Sequence, residues 1–453
     1  MTKYFILFIC FITTLGCNRS APDTSTGVGE VANDNEVELM DQVQRDVLKY
    51  FWDFAEPNSL LARERYHPDG NYPENDSHII TSGGSGFGLM TLIVGIERGF
   101  IPREEAVVRL HHMMDFLAKA DRFHGAWAHW MNGETGKVKP FGKMDNGGDL
   151  VETAFLVQGL ICIKEYFKNG NDSEKQLAEK ADKLWKGVEW NWYTKGEDVL
   201  YWHWSPEYNW KMNFPLEGYN ECLITYVLAA ASLDYSIDKE AFTKGWSRSG
   251  KIKSDAKKYD IPVIVNHNGE PGSVGPLFWS QYSYLGLNPN GLSDEFVNYW
   301  DLNVNHSKII YEYCVENPKQ FKGYGPDFWG LTASYTRNEN GGIGYTAHSP
   351  QNDKGVITPT AALSSFPYTP KESMDFLKFI YNEENKNKFI GPAGPYDALS
   401  IQYDWVAKRY LAIDQGTIAP MIENYRTGLI WKLFMQNEDV QKGLTKLGFK
   451  VNK

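Results

Sequence analysis

From residue 37 onward the chain alternates stretches that are apolar at nearly every position with stretches that carry a charged face, both at helical period. Residues 86–96, 150–163 and 222–231 are of the first kind, and 103–121 and 173–186 of the second. A helix that is apolar all round must be covered on every side, whereas a one-faced helix is suited to covering something else. Together the two kinds predict an inner set of helices sheathed by an outer set. No comparably long region alternates with the period of a strand, so the expected class is all-α.

A first helix is predicted over 38–54, with Val43, Val47, Leu48, Tyr50 and Phe51 on its apolar side and Pro57 beyond its end. Further helices are expected to begin near 86, 103, 149, 173, 217, 293, 327, 359, 370, 401 and 418. About twelve helices in two rings make an (α/α)6 barrel over 37–453, with long aromatic-rich loops over the N-terminal ends of the inner helices. No sequence repeat of roughly 20–50 residues supports the alternative, a solenoid of stacked pairs.

The first residues break this pattern. Lys3 is followed by an apolar run over 4–12 and then by Thr-Thr-Leu-Gly-Cys ending at Cys17, which reads as an export signal over 1–17. The run is too short to stay as a membrane span, and a Cys directly after Gly16 resembles a lipobox, in which the thiol is acylated. An exported lipoprotein of the periplasm or outer membrane of a Gram-negative bacterium is expected, touching the membrane only through its acyl anchor. Residues 18–36 lack aromatic side chains and are expected to form a flexible linker.

Charge and cysteine usage narrow the function. With 46 Lys plus Arg against 57 Asp plus Glu, and no basic block, nucleic acid is not an expected partner. Cys162, Cys222 and Cys314 are isolated in apolar runs and argue against a disulfide framework. The ten His form no His-Glu-x-x-His motif and no Cys-x-x-Cys pair occurs, so neither a metal nor a cofactor is expected. Gly83-Gly84-Ser85-Gly86-Phe87-Gly88 lacks the Lys-Ser/Thr of a phosphate loop and suits close helix packing or a sugar-binding turn; no Gly-x-Ser-x-Gly elbow is present.

What remains is aromatic and acidic. Fifteen Trp include the loop clusters Gly125-Ala126-Trp127-Ala128-His129-Trp130 and Tyr201-Trp202-His203-Trp204-Ser205-Pro206. Flat rings with polar edges suit pyranose faces, although any single Trp is as well explained by packing. Acids gather nearby: Asp145, Asp149 and Glu152 at the start of one apolar helix, and Glu221 at the start of another. Asp149 and Glu152 also fit a capping box, and the two readings can coexist. Burial of Glu221 would raise its pKa and suit it to proton donation. Asp397 and Asp414 supply a separate, late pair of loop carboxylates, and glycoside hydrolysis needs two carboxyl groups.

Taken in order, 80–88, Asp149-Leu150-Val151-Glu152-Thr153-Ala154-Phe155, Trp202-His203-Trp204-Ser205-Pro206, Asn220-Glu221-Cys222 and Ile413-Asp414-Gln415-Gly416 resemble glycoside hydrolase family 144. The resemblance spans nearly the whole domain and implies an (α/α)6 barrel that cleaves β-1,2-glucan with inversion, by endo action or by release of sophorose. It implies Glu221 as general acid and Asp414 or Asp397 as base. Asp145, Asp149, Glu152, Trp127, Trp130, His203, Trp204 and Gln415 are then the substrate-binding candidates. Thr417 stands where the resemblance leads one to expect proline, which bears on local loop shape. The rival expectations are a glucanase or β-glucosidase of other linkage on the same scaffold, and a lipid-anchored glycan-binding protein without activity.

Overall fold

Asn33 starts the first helix: its side chain accepts the Glu36 amide (3.1 Å) while the Glu36 carboxylate accepts the Asn33 amide (3.2 Å). The computed structural model describes residues 33–452; the expected signal 1–17, Cys17 and most of 18–36 lie outside the described residues. Among these residues the chain is mainly helical. It forms α1 (Asp34–Trp52), α2 (Ser82–Glu97), α3 (Arg103–Lys119), α4 (Leu150–Phe167), α5 (Asp172–Lys186), α6 (Leu223–Ala231) and α7 (Lys239–Lys244). There follow α8 (Tyr299–Glu316), α9 (Pro359–Leu363), α10 (Pro370–Tyr381), α11 (Lys386–Phe389), α12 (Ala412–Arg426), α13 (Leu429–Met435) and α14 (Glu438–Leu447).

The two expected kinds of helix occupy different layers. α2, α4 and α6 are buried along almost their whole length, whereas α3, α5 and α14 bury one face only. α12 packs on α2, α2 on α4, α4 on α6, and α6 on the 3-10 turn Tyr282–Tyr284. Gln281, just before that turn, donates to the Ala361 carbonyl of α9 (3.0 Å), and α9 packs back on α12. Outside this circuit α1 leans on α2 and α12, α5 on α4, α14 on α6, and α10 on α9.

Glycine sets the closest approach. A Cβ on Gly86 would lie 2.2 Å from the Phe155 carbonyl and 2.4 Å from the Leu156 Cα, and one on Gly159 would lie 2.3 Å from the Gly86 carbonyl. The glycine-rich segment is therefore the packing face of α2, as one reading of the sequence expects.

Short strands lead into three inner helices. Ile79–Thr81 precedes α2, Gly148–Asp149 precedes α4, and Tyr410–Leu411 precedes α12. Each pairs antiparallel with a distant segment: Trp130–Asn132, His203–Trp204 and Arg65–Tyr66 respectively. Several expected elements differ. α6 begins at Leu223 and α8 at Tyr299, later than expected, and α12 begins earlier, at Ala412. No helix forms near 327 or 401, where antiparallel pairs stand instead: Ala333–Arg337 with Ile343–Ala347, and Ala398–Ser400 with Trp405–Ala407. Ala333–Arg337 is buried on both faces for most of its length, so it shows no alternation to betray a strand.

Because backbone atoms, not side-chain tips, stand opposite Gly159, Gly159→Ala is expected to cost about 1–3 kcal/mol. Gly142→Ala, with nothing within 4 Å of the added carbon, is expected to change stability by less than about 0.5 kcal/mol. Denaturant unfolding of both variants checks this, and equal stabilities would remove the contact from its role.

Candidate active site

The N-terminal ends of α2, α4, α6 and α12 open on one cleft of about 720 Å³. Thr81, Glu152 and Phe155, Glu221, and Leu411 with Ile413 line it from those four ends. Three carboxyl groups reach its wall, Glu64, Glu152 and Glu221, among the rings of Trp130, Trp202, Phe278, Tyr282, Tyr335 and Tyr345. Arg65 pairs with Glu64 and holds its guanidinium 5.8 Å from the Trp130 ring centroid. Flat rings alternating with charged hydrogen-bonding groups suit a chain of sugars.

Behind the α4 side runs a relay of acids and imidazoles. Asp149 caps α4, its Oδ1 accepting the amides of Val151 (3.0 Å) and Glu152 (2.9 Å). Its Oδ2 accepts from Trp202 Nε1 (3.1 Å) and faces His129 Nδ1 (3.0 Å) and His203 Nε2 (3.4 Å). His203 Nε2 also reaches Asp145 (3.2 Å), and His129 Nε2 stands 4.0 Å from Glu152. Burial opposes charge on both imidazoles, but the surrounding carboxylates outweigh it and lift His129 and His203 to about 9. Burial likewise opposes ionisation of Asp149, and its two imidazole partners more than offset this, holding it well below the usual carboxylate range.

Glu152 and Glu221 go the other way. Burial pushes Glu152 up to about 6, despite the charge of His129 and hydrogen bonds from the Gly83 amide (3.0 Å) and the Thr81 hydroxyl (3.2 Å). Burial, with the charges of Glu152 and Asp149 behind it, raises Glu221 to about 7. A carboxyl group poised near neutrality at a cleft wall can give or take a proton.

Asp397 and Asp414 meet one layer behind the wall. Asp397 accepts the Tyr335 amide (2.8 Å) and Asp414 accepts the Tyr282 hydroxyl (3.2 Å). Their carboxyl groups also hydrogen-bond to each other, and burial followed by that proximity raises Asp414 well above the ordinary value. Two buried carboxylates in contact retain one proton between them.

The cleft therefore gathers Glu221, Glu152 and Trp130, with Asp149, His203 and Asp145 directly behind. Other expected residues lie elsewhere. Trp127 is fully buried, its indole donating to the Leu117 carbonyl (3.1 Å), so it belongs to the core and not to a sugar site. Gln415 is buried and donates to the Pro395 carbonyl (2.8 Å), tying α12 to the short strand Gly394–Pro395. Trp204 turns its ring toward His124 (4.8 Å between centroids) and lies outside the cleft lining. Asp397 and Asp414 likewise reach the cleft only through Tyr335 and Tyr282. Thr417, at the expected proline position, shares its hydroxyl with Thr360 (2.8 Å) and Ser364 (2.7 Å), joining α9 to α12. Trp202 was singled out only as part of its aromatic cluster, and Glu64, Arg65 and Tyr282 not at all; Glu64 and Arg65 are brought into place by the pairing of Arg65–Tyr66 with Tyr410–Leu411 and by the bridge of Arg63 to Ile80.

His129, Asp145 and Asp149 offer atoms within 4.8 Å of one another, a grouping that a cation can use. His203 Nε2 already lies between the two aspartates, so protonated imidazoles supply positive charge there.

Across pH 7 to 9 the folded chain keeps protons on His129 and His203 that the unfolded chain, with ordinary values near 6.5, has released. Their stabilisation is complete below about pH 6.5 and is lost as pH rises through about 9. Tm is therefore expected to fall between pH 7 and 9, with a shallower slope in His203→Gln; a flat wild-type profile would show that the imidazoles are not held charged.

The Glycoamylase family model, described as "Putative glucoamylase", matches residues 213–438. The chain is 56% identical to the endo-β-1,2-glucanase from Chitinophaga pinensis, solved with sophorotriose and glucose, covering 92% of this chain and 98% of that one at a TM-score of 0.89. It is 42% identical to the β-1,2-glucanase from Parabacteroides distasonis, covering 91% of this chain and 60% of that one at a TM-score of 0.84. The exo β-1,2-glucooligosaccharide sophorohydrolase (non-reducing end) of Parabacteroides distasonis is 45% identical over 430 residues, 90% of this chain. The chain spans 58% of the length of that curated relative. With identity of this extent over nearly all of the Chitinophaga protein, the chain belongs to the same family as that endo-β-1,2-glucanase, and the Glycoamylase model matches within it.

Proposed function

We propose that this protein hydrolyses β-1,2-glucan with inversion, as a glycoside hydrolase of family 144 built on an (α/α)6 barrel. The circuit of six inner elements supports the barrel, and the names of the relatives support the substrate. The observation that carries the chemistry is Glu221, a carboxyl group raised to about 7 in the wall of a ring-lined cleft that holds other acids.

In this reading Glu221 gives its proton to the glycosidic oxygen, directly or through a sugar hydroxyl, as the bond from that oxygen to the anomeric carbon breaks. Water attacks the same carbon from the opposite face and passes a proton to a base. The base belongs beside α12, three elements around the circuit from α6. Asp414 fills the role through a relay, since its carboxyl group touches the cleft-lining Tyr282 hydroxyl; Glu64, in the wall itself, is the direct alternative. Glu152, Trp130 and Trp202 bind sugar, while Asp145, Asp149 and His203 hold their side of the cleft in place. Export and acylation at Cys17 complete the proposal and rest on the sequence of 1–17.

Incubation with linear β-1,2-glucan and chromatography of the products is the direct test, and the product sizes separate endo action from release of sophorose. Glu221→Gln is expected to lower kcat by about 10²–10⁴-fold with an unchanged Tm, and to remove the alkaline limb of the pH profile near 7. Retained turnover would take the acid role from Glu221. Failure of the wild-type chain to cleave this glucan while binding it would leave the glycan-binding reading instead. Comparison of Asp414→Asn with Glu64→Gln identifies the base as the one whose loss lowers kcat more than KM changes.

A further inference from the structure

A second groove, of about 440 Å³, lies outside the cleft and carries none of the chemistry above. It is lined by Trp192 and Trp210, with ring centroids 6.3 Å apart and planes tilted by 33°, together with Tyr235, Thr194, Lys195, Glu189 and Asn191. Trp192 is 40% exposed, whereas Trp204 and Trp210, packed beside it, are half-buried. It is also held rigid. His124 stacks flat on it at 3.6 Å and 13°, and the imidazole is fixed in turn by Glu189 (2.9 Å). The edge of Trp204 braces the same pair, 4.8 Å from His124 and 6.1 Å from Trp192.

A fixed, solvent-facing indole with hydrogen-bonding groups at its edge offers CH contact to a sugar face at little entropic cost, because the plate does not have to be ordered on binding. One short segment links the groove to the cleft. Trp204 belongs to the strand that pairs with Gly148–Asp149, and Trp202, two residues earlier, lines the cleft and donates to Asp149. Two residues of extended chain span about 7 Å, which sets Trp204, packed against the Trp192 plate, within one short step of the cleft-lining Trp202.

We propose that the groove over Trp192 and Trp210 is a second glucan-binding site, which holds one segment of a polymer by ring stacking while another lies in the cleft. The inference rests on the glucan reading above. It also gives Trp204 a place in sugar recognition that the cleft does not, as the brace of the plate.

Electrophoresis in gels containing soluble β-1,2-glucan tests it, with Glu221→Gln as the background so that the polymer persists. Adding Trp192→Ala is expected to weaken retardation by about 3- to 10-fold, the range of one lost ring contact. Trp192→Phe, which keeps a flat ring, is expected to retain at least half of the retardation. In the active chain Trp192→Ala is expected to lower the ratio of kcat/KM on polymer to kcat/KM on a short oligosaccharide by a similar factor. Undiminished retardation in Trp192→Ala, with wild-type hydrolysis intact, overturns the second site alone, as does a loss in Trp192→Phe as large as that in the alanine variant. A wild-type chain that neither cleaves the glucan nor is retarded by it overturns both readings.

Discussion

Everything in the cleft depends on how closely α2 and α4 approach. Where Gly86 meets Phe155 and Leu156, and Gly159 meets the Gly86 carbonyl, no side chain intervenes, and backbone rests on backbone. One turn nearer the cleft the same closeness puts the Gly83 amide 3.0 Å from the Glu152 carboxylate, at a place where a Cβ would sit 2.4 Å from that oxygen. α12 joins from the other side, with the Ala412 methyl against Gly84 and Gly416 against Phe87. Were these helices held at the more usual 8–10 Å between axes by larger side chains, the acids at their ends would be spread over a wider mouth.

The second constraint is the small number of cations. Two imidazoles serve the acids behind α4, and both lie beside Asp149, which consequently stays ionised. Glu152 receives only the more distant Nε2 of His129, at 4.0 Å, and burial wins there by a modest margin. No imidazole or guanidinium pairs with Glu221 among the described residues, and burial wins more fully. One relay therefore yields carboxyl groups of graded proton affinity. Such grading is what separates acid and base roles among chemically identical side chains.

Much of this was legible in the sequence because it is local. The apolar runs at 150–163 and 86–96 marked the buried helices, and the Asp149-x-x-Glu152 spacing marked the cap, although Asp149 forms it alone: the Glu152 carboxylate turns to the Gly83 amide and the Thr81 hydroxyl at the cleft wall instead of closing a capping box. Glu221 stood out because a carboxylate opens one of the most apolar helices. What could not be read depends on distant pairing. Glu64 sits in a short charged stretch, Arg63 to Tyr66, that resembles ordinary surface until its strand meets Tyr410–Leu411. Trp127 and Trp130 were indistinguishable as aromatic loop residues; only the antiparallel pairing of Trp130–Asn132 with Ile79–Thr81 turns one toward the cleft while the other enters the core. The missing helix near 401 has a more local cause, since the Ala398–Ser400 strand pairs with a hairpin partner that begins only seven residues on and is buried without the alternation that marks a strand.

Helix ends complete the account of why Glu221 differs from Asp149. Both residues stand at the start of a buried helix, where unpaired amides favour an ionised carboxylate. At α4 those amides are left to Asp149, which accepts two of them. At α6 neutral groups take them first: the Asn220 side chain accepts the Cys222 amide (2.9 Å) and the Ser283 hydroxyl accepts the Ile224 amide (3.1 Å). Glu221 is left with its own amide and the Trp279 indole, which do not offset burial. A neutral cap at α6 and an acidic cap at α4 thus act in the same direction as the imidazoles, which stand beside Asp149 and not beside Glu221, in removing the proton at one position and leaving it at the other.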